Sequence, residues 1–131
     1  MKIAISSSGK DLHAQIDPRF GRCQYFIFID PETMEFAVSE NEGLMAMGGA
    51  GVQAAQLIAQ KGATALITGN LGPNAASALS ASGIKVHLVS GGTVREVTEA
   101  FKAGKLQEVS GPSVPPHFGM GGRGMGGRRG S

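Results

Sequence analysis

The stretch GVQAAQLIAQKGATALITGNLGPNAASALSASGIKVHLVS, residues 51 to 90, changes hydrophobic period three times, and those changes decide the fold. Residues 51 to 61 place Val52, Ala55, Ile58 and Ala59 on one face of a helix that Gly62 ends. TALIT, residues 64 to 68, is a short apolar run of the length expected for a buried strand. PNAASALSAS, residues 73 to 82, opens with proline at a first helical position, where the missing N–H costs nothing, and stops at Gly83. KVHLVS, residues 85 to 90, reads as strand again. Helix and strand alternating at this spacing imply parallel strands with helices packed on the sheet.

Working outward, KIAIS (residues 2 to 6) and QYFIFID (residues 24 to 30) read as strands. The second is nearly continuous in apolar residues and is expected to be buried on both faces. EFAVSE, residues 35 to 40, follows a turn at Asp30 to Thr33 and completes a hairpin. Downstream, Thr93 caps a helix running through Ala103, and Glu96 stands three residues on, as a capping box requires. The predicted class is α/β: a five-stranded mixed sheet, antiparallel at one edge and parallel elsewhere, with three helices on its faces. Ligands of such sheets favour the crevice beyond the carboxyl ends of the parallel strands. Here those ends are Ser6 to Gly9, Gly69 to Gly72 and Ser90 to Gly92, all rich in small residues that let a ligand approach backbone N–H groups.

The 131 residues suit one domain, expected over residues 1 to 109. The segment from 110 to 131 has a different composition: eight glycines and three prolines fall within residues 111 to 131, and GMGGR occurs at 119 to 123 and again at 124 to 128. So little apolar surface cannot offset the entropy of ordering, and this segment reads as a disordered Gly/Arg/Met-rich tail. Charge follows the same division. Residues 1 to 110 carry a net charge of -1, and Arg123, Arg128 and Arg129 give the remainder +3. Between Glu42 and Glu96 there is no acidic residue, while Lys61, Lys85 and Arg95 lie in that interval, so this part of the body tolerates an anion.

Several classes drop out. The apolar run at the N-terminus is too short for a signal peptide, and no stretch approaches the roughly 20 apolar residues that span a bilayer, so the expected location is cytoplasmic with no membrane partner. With Cys23 as the only cysteine, there is no internal disulfide and no four-cysteine metal site within one chain. Asp11, Asp17 and Asp30 lack the clustered spacing of a metal-dependent nuclease, and His13, His87 and His117 offer no recognisable nucleophile–base pattern. The chain is therefore read as a binding protein and not an enzyme.

Two segments invite binding. In MAMGGAGVQAA, residues 45 to 55, Gly49, Gly51 and Ala54 spell Gly-x-Gly-x-x-Ala. A dinucleotide site wants that turn directly after a strand and an acid about 20 residues on. Neither condition is met, and no Gly-Lys-Ser/Thr follows to make a nucleotide-binding loop. What remains is a helix N-terminus able to hold an anion, approached by Met45 and Met47, which either offer soft sulfur or fill gaps in the core. In IDPRFGRC, residues 16 to 23, Cys23 follows Arg19 and Arg22. Two cations favour the metal-binding thiolate; alternatively Arg19 pairs with Asp17 or Asp11 and Cys23 packs as a small hydrophobe.

With these residues in view, the sequence resembles the dinitrogenase iron-molybdenum cofactor-binding family, which includes nitrogenase accessory proteins. The resemblance spans residues 1 to about 109. It rests on the opening strand with its Ser/Gly loop, DPRFGRC leading into an aromatic strand, the loop from Asn41 to Gly51, and TGNLGPNA at 68 to 75. It implies a ribonuclease H-like fold and a carrier of a preassembled metal-sulfur cluster, iron-sulfur or molybdenum/iron-sulfur, bound as cargo and exchanged with a cluster donor or acceptor protein. Such clusters are polyanions with soft surfaces, held by N–H groups, arginine and apolar contact with few direct ligands. On this account Arg19 and Arg22 are counter-charges, Cys23 is the metal ligand, and Met45 and Met47 are soft contacts. Gly49, Gly51 and Gly72 present backbone donors and Asn70 an amide. Some members of the family carry histidine where Arg19 stands, so this chain favours electrostatic holding. The alternative reading is single-stranded nucleic-acid binding through the Gly/Arg tail.

Overall fold

Four consecutive apolar residues in one strand, Phe26 to Ile29, need cover on both sides, and the structure supplies it. The computed structural model describes residues 1–41 and 49–109. Strand β2 (Tyr25–Ile29) lies between β1 (Ile3–Ser7) and β3 (Phe36–Glu40), antiparallel to each. Side chains alternate across a strand, so Phe26 and Phe28 enter one core and Ile27 and Ile29 the other. Full burial of each such side chain contributes roughly 1.5–3 kcal/mol.

The sheet order is β3-β2-β1-β4-β5-β6. Strands β4 (Ala65–Thr68) and β5 (Lys85–Leu88) run parallel to β1, as the helix–strand alternation requires. Helices α1 (Ala50–Gln60) and α2 (Pro73–Ala81) cover one face, where Ala54, Ala55, Ile58, Ala76 and Leu79 meet Ala4, Phe26, Leu66 and Val86. Helix α3 (Val94–Lys102) covers the other, setting Val94 and Val97 against Ile3, Ile5, Ile27 and Ile67. The buried face of α1 is rotated from the expected one: Ala50, Ala54, Ala55 and Ile58 face inward, and Val52 turns toward the end of the sheet.

Two expectations are corrected. The sheet has six strands instead of five, because Gly104 (φ 75°) turns the chain after α3 and Glu108–Val109 pair with His87 and Val86 as β6. This strand is antiparallel to β5, so both edges are antiparallel and not one. A two-residue strand has no period to detect, which is why it escapes the sequence. The hairpin turn also reaches further than Thr33. Met34 takes a left-handed φ of 65° and its N–H donates to the Asp30 carbonyl at 2.7 Å.

Residues 8 to 17 separate the strand ends from one another. The Ser8 N–H donates to the Gln15 carbonyl and Ile16 N–H to Gly92 carbonyl, and Gln15 bridges Thr93. This strap ties the end of β1 to the loop after β5 on the α3 side. The third strand end, Gly69 to Gly72 after β4, opens instead between α1 and α2. No helix among the described residues is long and apolar enough to cross a membrane.

Candidate functional site

The segment 17–23 is pinned across the strand ends by buried polar groups. Ser6 Oγ, at the end of β1, donates to the Asp17 carbonyl at 2.6 Å and shares a 2.8 Å hydrogen bond with Thr68 Oγ1, at the end of β4. Asn70 N–H donates to the Pro18 carbonyl at 2.7 Å, and Arg19 pairs with Asn70 as a parallel bridge. Only glycine fits beside this crossing, since a Cβ on Gly69 would stand 2.6 Å from Pro18 Cβ and 2.7 Å from Pro18 Cα.

The chain then makes one 3₁₀ turn, Phe20–Arg22. Phe20 is buried with its ring 5.5 Å from that of Phe26. Asn41, 5 % exposed at the end of β3, closes the turn from behind: its amide donates to the carbonyls of Gly21 at 3.1 Å and Cys23 at 3.0 Å. Gly21 lies against the first turn of α1. A Cβ there would meet the Gly51 nitrogen at 2.9 Å.

These contacts bring together one open cleft of about 380 Å³. Arg19, Arg22, Gly49, Gly51, Asn70 and Gly72 all line it, so all six of the candidate binding residues that the structure describes, apart from Cys23, share one space. Phe20, Val52, Leu71 and Ala75 give it apolar walls, and among the described residues no carboxylate lines it. Met45 and Met47 lie outside the described residues, as does the tail from 110 to 131.

Two helices end at this cleft, and neither is capped by a side chain. The N-caps of α1 and α2 are Gly49 and Gly72. The first intrahelical bonds run from Gln53 N–H to the Gly49 carbonyl and from Ala76 N–H to the Gly72 carbonyl. The N–H groups of Ala50, Gly51, Val52, Asn74 and Ala75 come before them, without intrahelical acceptors, and these five residues line the cleft. Each helix terminus carries the equivalent of about half a positive charge. Helix α3 provides the internal contrast: Thr93 Oγ1 accepts from Glu96 N–H and Glu96 Oε1 from Thr93 N–H, so the expected capping box closes that terminus.

Arg19 is engaged by Asp17. The buried Asp17 carboxylate accepts from Arg19 N–H at 2.9 Å, from Nε at 3.1 Å and from Nη2 at 3.1 Å. The hydrogen bond and charge of Asp17 raise the Arg19 pKa further above its already high ordinary value.

Cys23 corrects the electrostatic expectation. It is fully buried in the core under α1, its thiol donates to the Phe20 carbonyl at 3.3 Å, and it does not line the cleft. Burial, then the nearby Asp17 charge, push the thiol up to about 12, outweighing the pull of Arg19. The two arginines therefore do not produce a thiolate. The unfolded thiol ionises near 9.0 and the native one near 12, so the unfolded chain binds fewer protons between them and stability falls as pH rises through this window. Denaturant titrations should show this slope, and a Cys23→Ala variant should lack its share of it. At pH 8 the native state holds roughly 1,000-fold less thiolate than the unfolded one, so the native thiol should react far more slowly with a thiol reagent. Among the described residues, no group of three or more His, Cys, Asp and Glu gathers to hold a metal ion.

Three roles were not legible in the sequence: Gly21 and Gly69 as glycines demanded by close backbone crossings, and Asn41 as the donor that closes the 3₁₀ turn. Each depends on a partner distant in the chain, which no local pattern encodes.

Comparison with known proteins agrees with this architecture. A family model described as dinitrogenase iron-molybdenum cofactor matches residues 1–104. The apo form of the orange protein from Desulfovibrio gigas is 39 % identical with a TM-score of 0.83, covering 86 % of this chain and 95 % of that one. A putative NifB protein from Thermotoga is 41 % identical with a TM-score of 0.72, covering 82 % and 91 %. An uncharacterized protein of Methanocaldococcus jannaschii is 33 % identical over 111 residues, 82 % of this chain and 91 % of its own length. The chain belongs to the dinitrogenase iron-molybdenum cofactor family.

Proposed function

We propose that the cleft takes up a preassembled anionic metal-sulfur cluster, iron-sulfur or molybdenum/iron-sulfur, and carries it as cargo between a donor and an acceptor protein. The observation that carries this reading is the convergence of Arg19, Arg22 and two helix N-termini with glycine N-caps on one cleft that, among the described residues, has no carboxylate in its lining. A cluster's sulfur surface accepts weak hydrogen bonds from many N–H groups at once and rests against apolar walls such as Phe20 and Leu71. Its charge is met by guanidinium groups and helix dipoles. Cys23 is given no ligand role, since its proton and its burial both oppose one. Holding cargo by charge and fit needs no catalytic side chain, and it allows release intact.

Support also comes from the family and from a relative named for its colour and solved in an apo form. The sheet order, with β2 alone antiparallel among β3-β2-β1-β4-β5, is in keeping with the ribonuclease H-like motif that the resemblance implies. The nucleic-acid alternative depended on the tail beyond residue 109, and no finding adds to it.

Anaerobic incubation with iron and sulfide, or with tetrathiomolybdate, followed by desalting, should leave a coloured protein with stoichiometric metal. Arg19→Ala and Arg22→Ala should each weaken uptake about tenfold, the loss of roughly 1.4 kcal/mol expected for one partly exposed charged contact. A protein that stays colourless and metal-free under both conditions overturns the reading.

A further inference from the structure

A cation placed only to attract an anion gains most by standing unpaired, yet Arg19 is held from behind by a buried carboxylate. Asp17 has a side chain 7 % exposed, against 67 % for Arg19. It spends both oxygens on Arg19, one on the backbone N–H and Nε, the other on Nη2. The Asp17 backbone is fixed independently, through Ser6 Oγ and the Ser6 carbonyl, and the carboxylate itself is held by its burial and by the Arg19 backbone N–H. Two of the guanidinium's hydrogen-bonding directions are thus occupied, and those on Nη1 and the second on Nη2 remain for a ligand.

We propose that Asp17 is a charge-tuning residue that weakens the hold of the cleft on its anionic cargo by offsetting the Arg19 charge, so that the cargo can be handed on; this rests on the anion-binding reading above. Asp17 also orients the guanidinium, so two effects of opposite sign compete when it is replaced. Orientation costs little to lose, because an exposed arginine beside an anion reorients onto it. Charge acts at longer range: each unit removed or added near a partly exposed site changes the affinity for a dianion by about three- to tenfold. The charge effect wins.

The test is anaerobic titration of the full chain with tetrathiomolybdate, followed by absorbance, with the melting temperature of each unloaded variant measured alongside. Asp17→Asn should bind three- to tenfold more tightly than the parent and dissociate more slowly, although its unloaded form melts lower for want of the ion pair. Damage to the fold moves both readouts downward and cannot produce this divergence. Arg19→Gln should bind more weakly, and adding Asp17→Asn to it should recover a factor of about three or more. That double variant leaves no buried charge unpaired and serves if Asp17→Asn alone is too unstable to titrate. Uptake by the parent with unchanged or weaker binding in Asp17→Asn, or no recovery in the double variant, overturns the proposal alone. Absence of uptake by the parent and every variant overturns the functional reading, and this proposal with it.

Discussion

Gly72→Asp will raise the melting temperature of the unloaded protein by a few degrees and reduce tetrathiomolybdate uptake by more than about 100-fold. Gly72 is the N-cap of α2, with φ -79° and ψ 174°, an extended conformation open to any residue. A Cβ there would meet nothing within 4 Å. Neither backbone strain nor packing therefore explains glycine at this position, whereas an aspartate could cap the free N–H groups and complement the helix dipole. The gain is modest, about 0.5–1.5 kcal/mol from dipole, cap and a less flexible unfolded chain, since glycine is itself a tolerable N-cap. The same carboxylate occupies the donors and brings a negative charge into the cleft, so stability and uptake should move in opposite directions. Gly72→Ala separates the causes: it restricts the unfolded chain without competing for the donors, and should lose far less uptake. Undiminished uptake by Gly72→Asp would place the cargo away from the start of α2.

Gly21→Ala should destabilise the protein by about 3 kcal/mol, the upper part of the range for overpacking, and lower its melting temperature by more than 10 °C. The added methyl would meet Gly51 nitrogen at 2.9 Å, Gly51 Cα at 3.0 Å and the Ala50 carbonyl carbon at 3.2 Å. All three are backbone atoms of the first turn of α1, which cannot rotate out of the way as a side-chain end would. Nor can α1 retreat, because a Cβ on Gly51 would itself lie 2.9 Å from Ala75 Cβ of α2. The 3₁₀ turn would have to move instead, straining the hydrogen bond from the Asn41 amide to the Gly21 carbonyl. Denaturant unfolding reads the loss directly. A cost under about 1 kcal/mol would mean that the turn and helix are not in such close contact.

Much of the fold is legible in the chain because its causes are local. The start of helix α3 could be placed from Thr93 and Glu96 alone, since a capping box is completed within four residues. Helix α2 begins at Pro73 because its missing donor costs nothing there, and β2 is a central strand because an unbroken apolar run cannot face water. Strand β6 was not legible, because two residues paired to β5 acquire their structure from the partner and not from their own period. Nor was the strap of residues 8 to 17, which covers the β1 end and keeps the loop after β5 apart from the cleft at Gly69 to Gly72.

At the site the same division holds. The residue types needed to hold an anion, two arginines and two glycine-led helix starts without an acid between Glu42 and Glu96, are properties of the sequence itself. Their convergence is not: it requires the parallel pairing of β1 and β4, which aligns the DPRFGR crossing with the starts of α1 and α2. The state of Cys23 was decided by tertiary structure against its neighbours in the chain, because desolvation depends on what packs over a thiol, and that burial outweighed the nearby guanidinium charge. Sequence spacing fixes which groups a chain can offer; only the packed fold decides which of them meet water, which meet each other, and which carry their charge to a shared space.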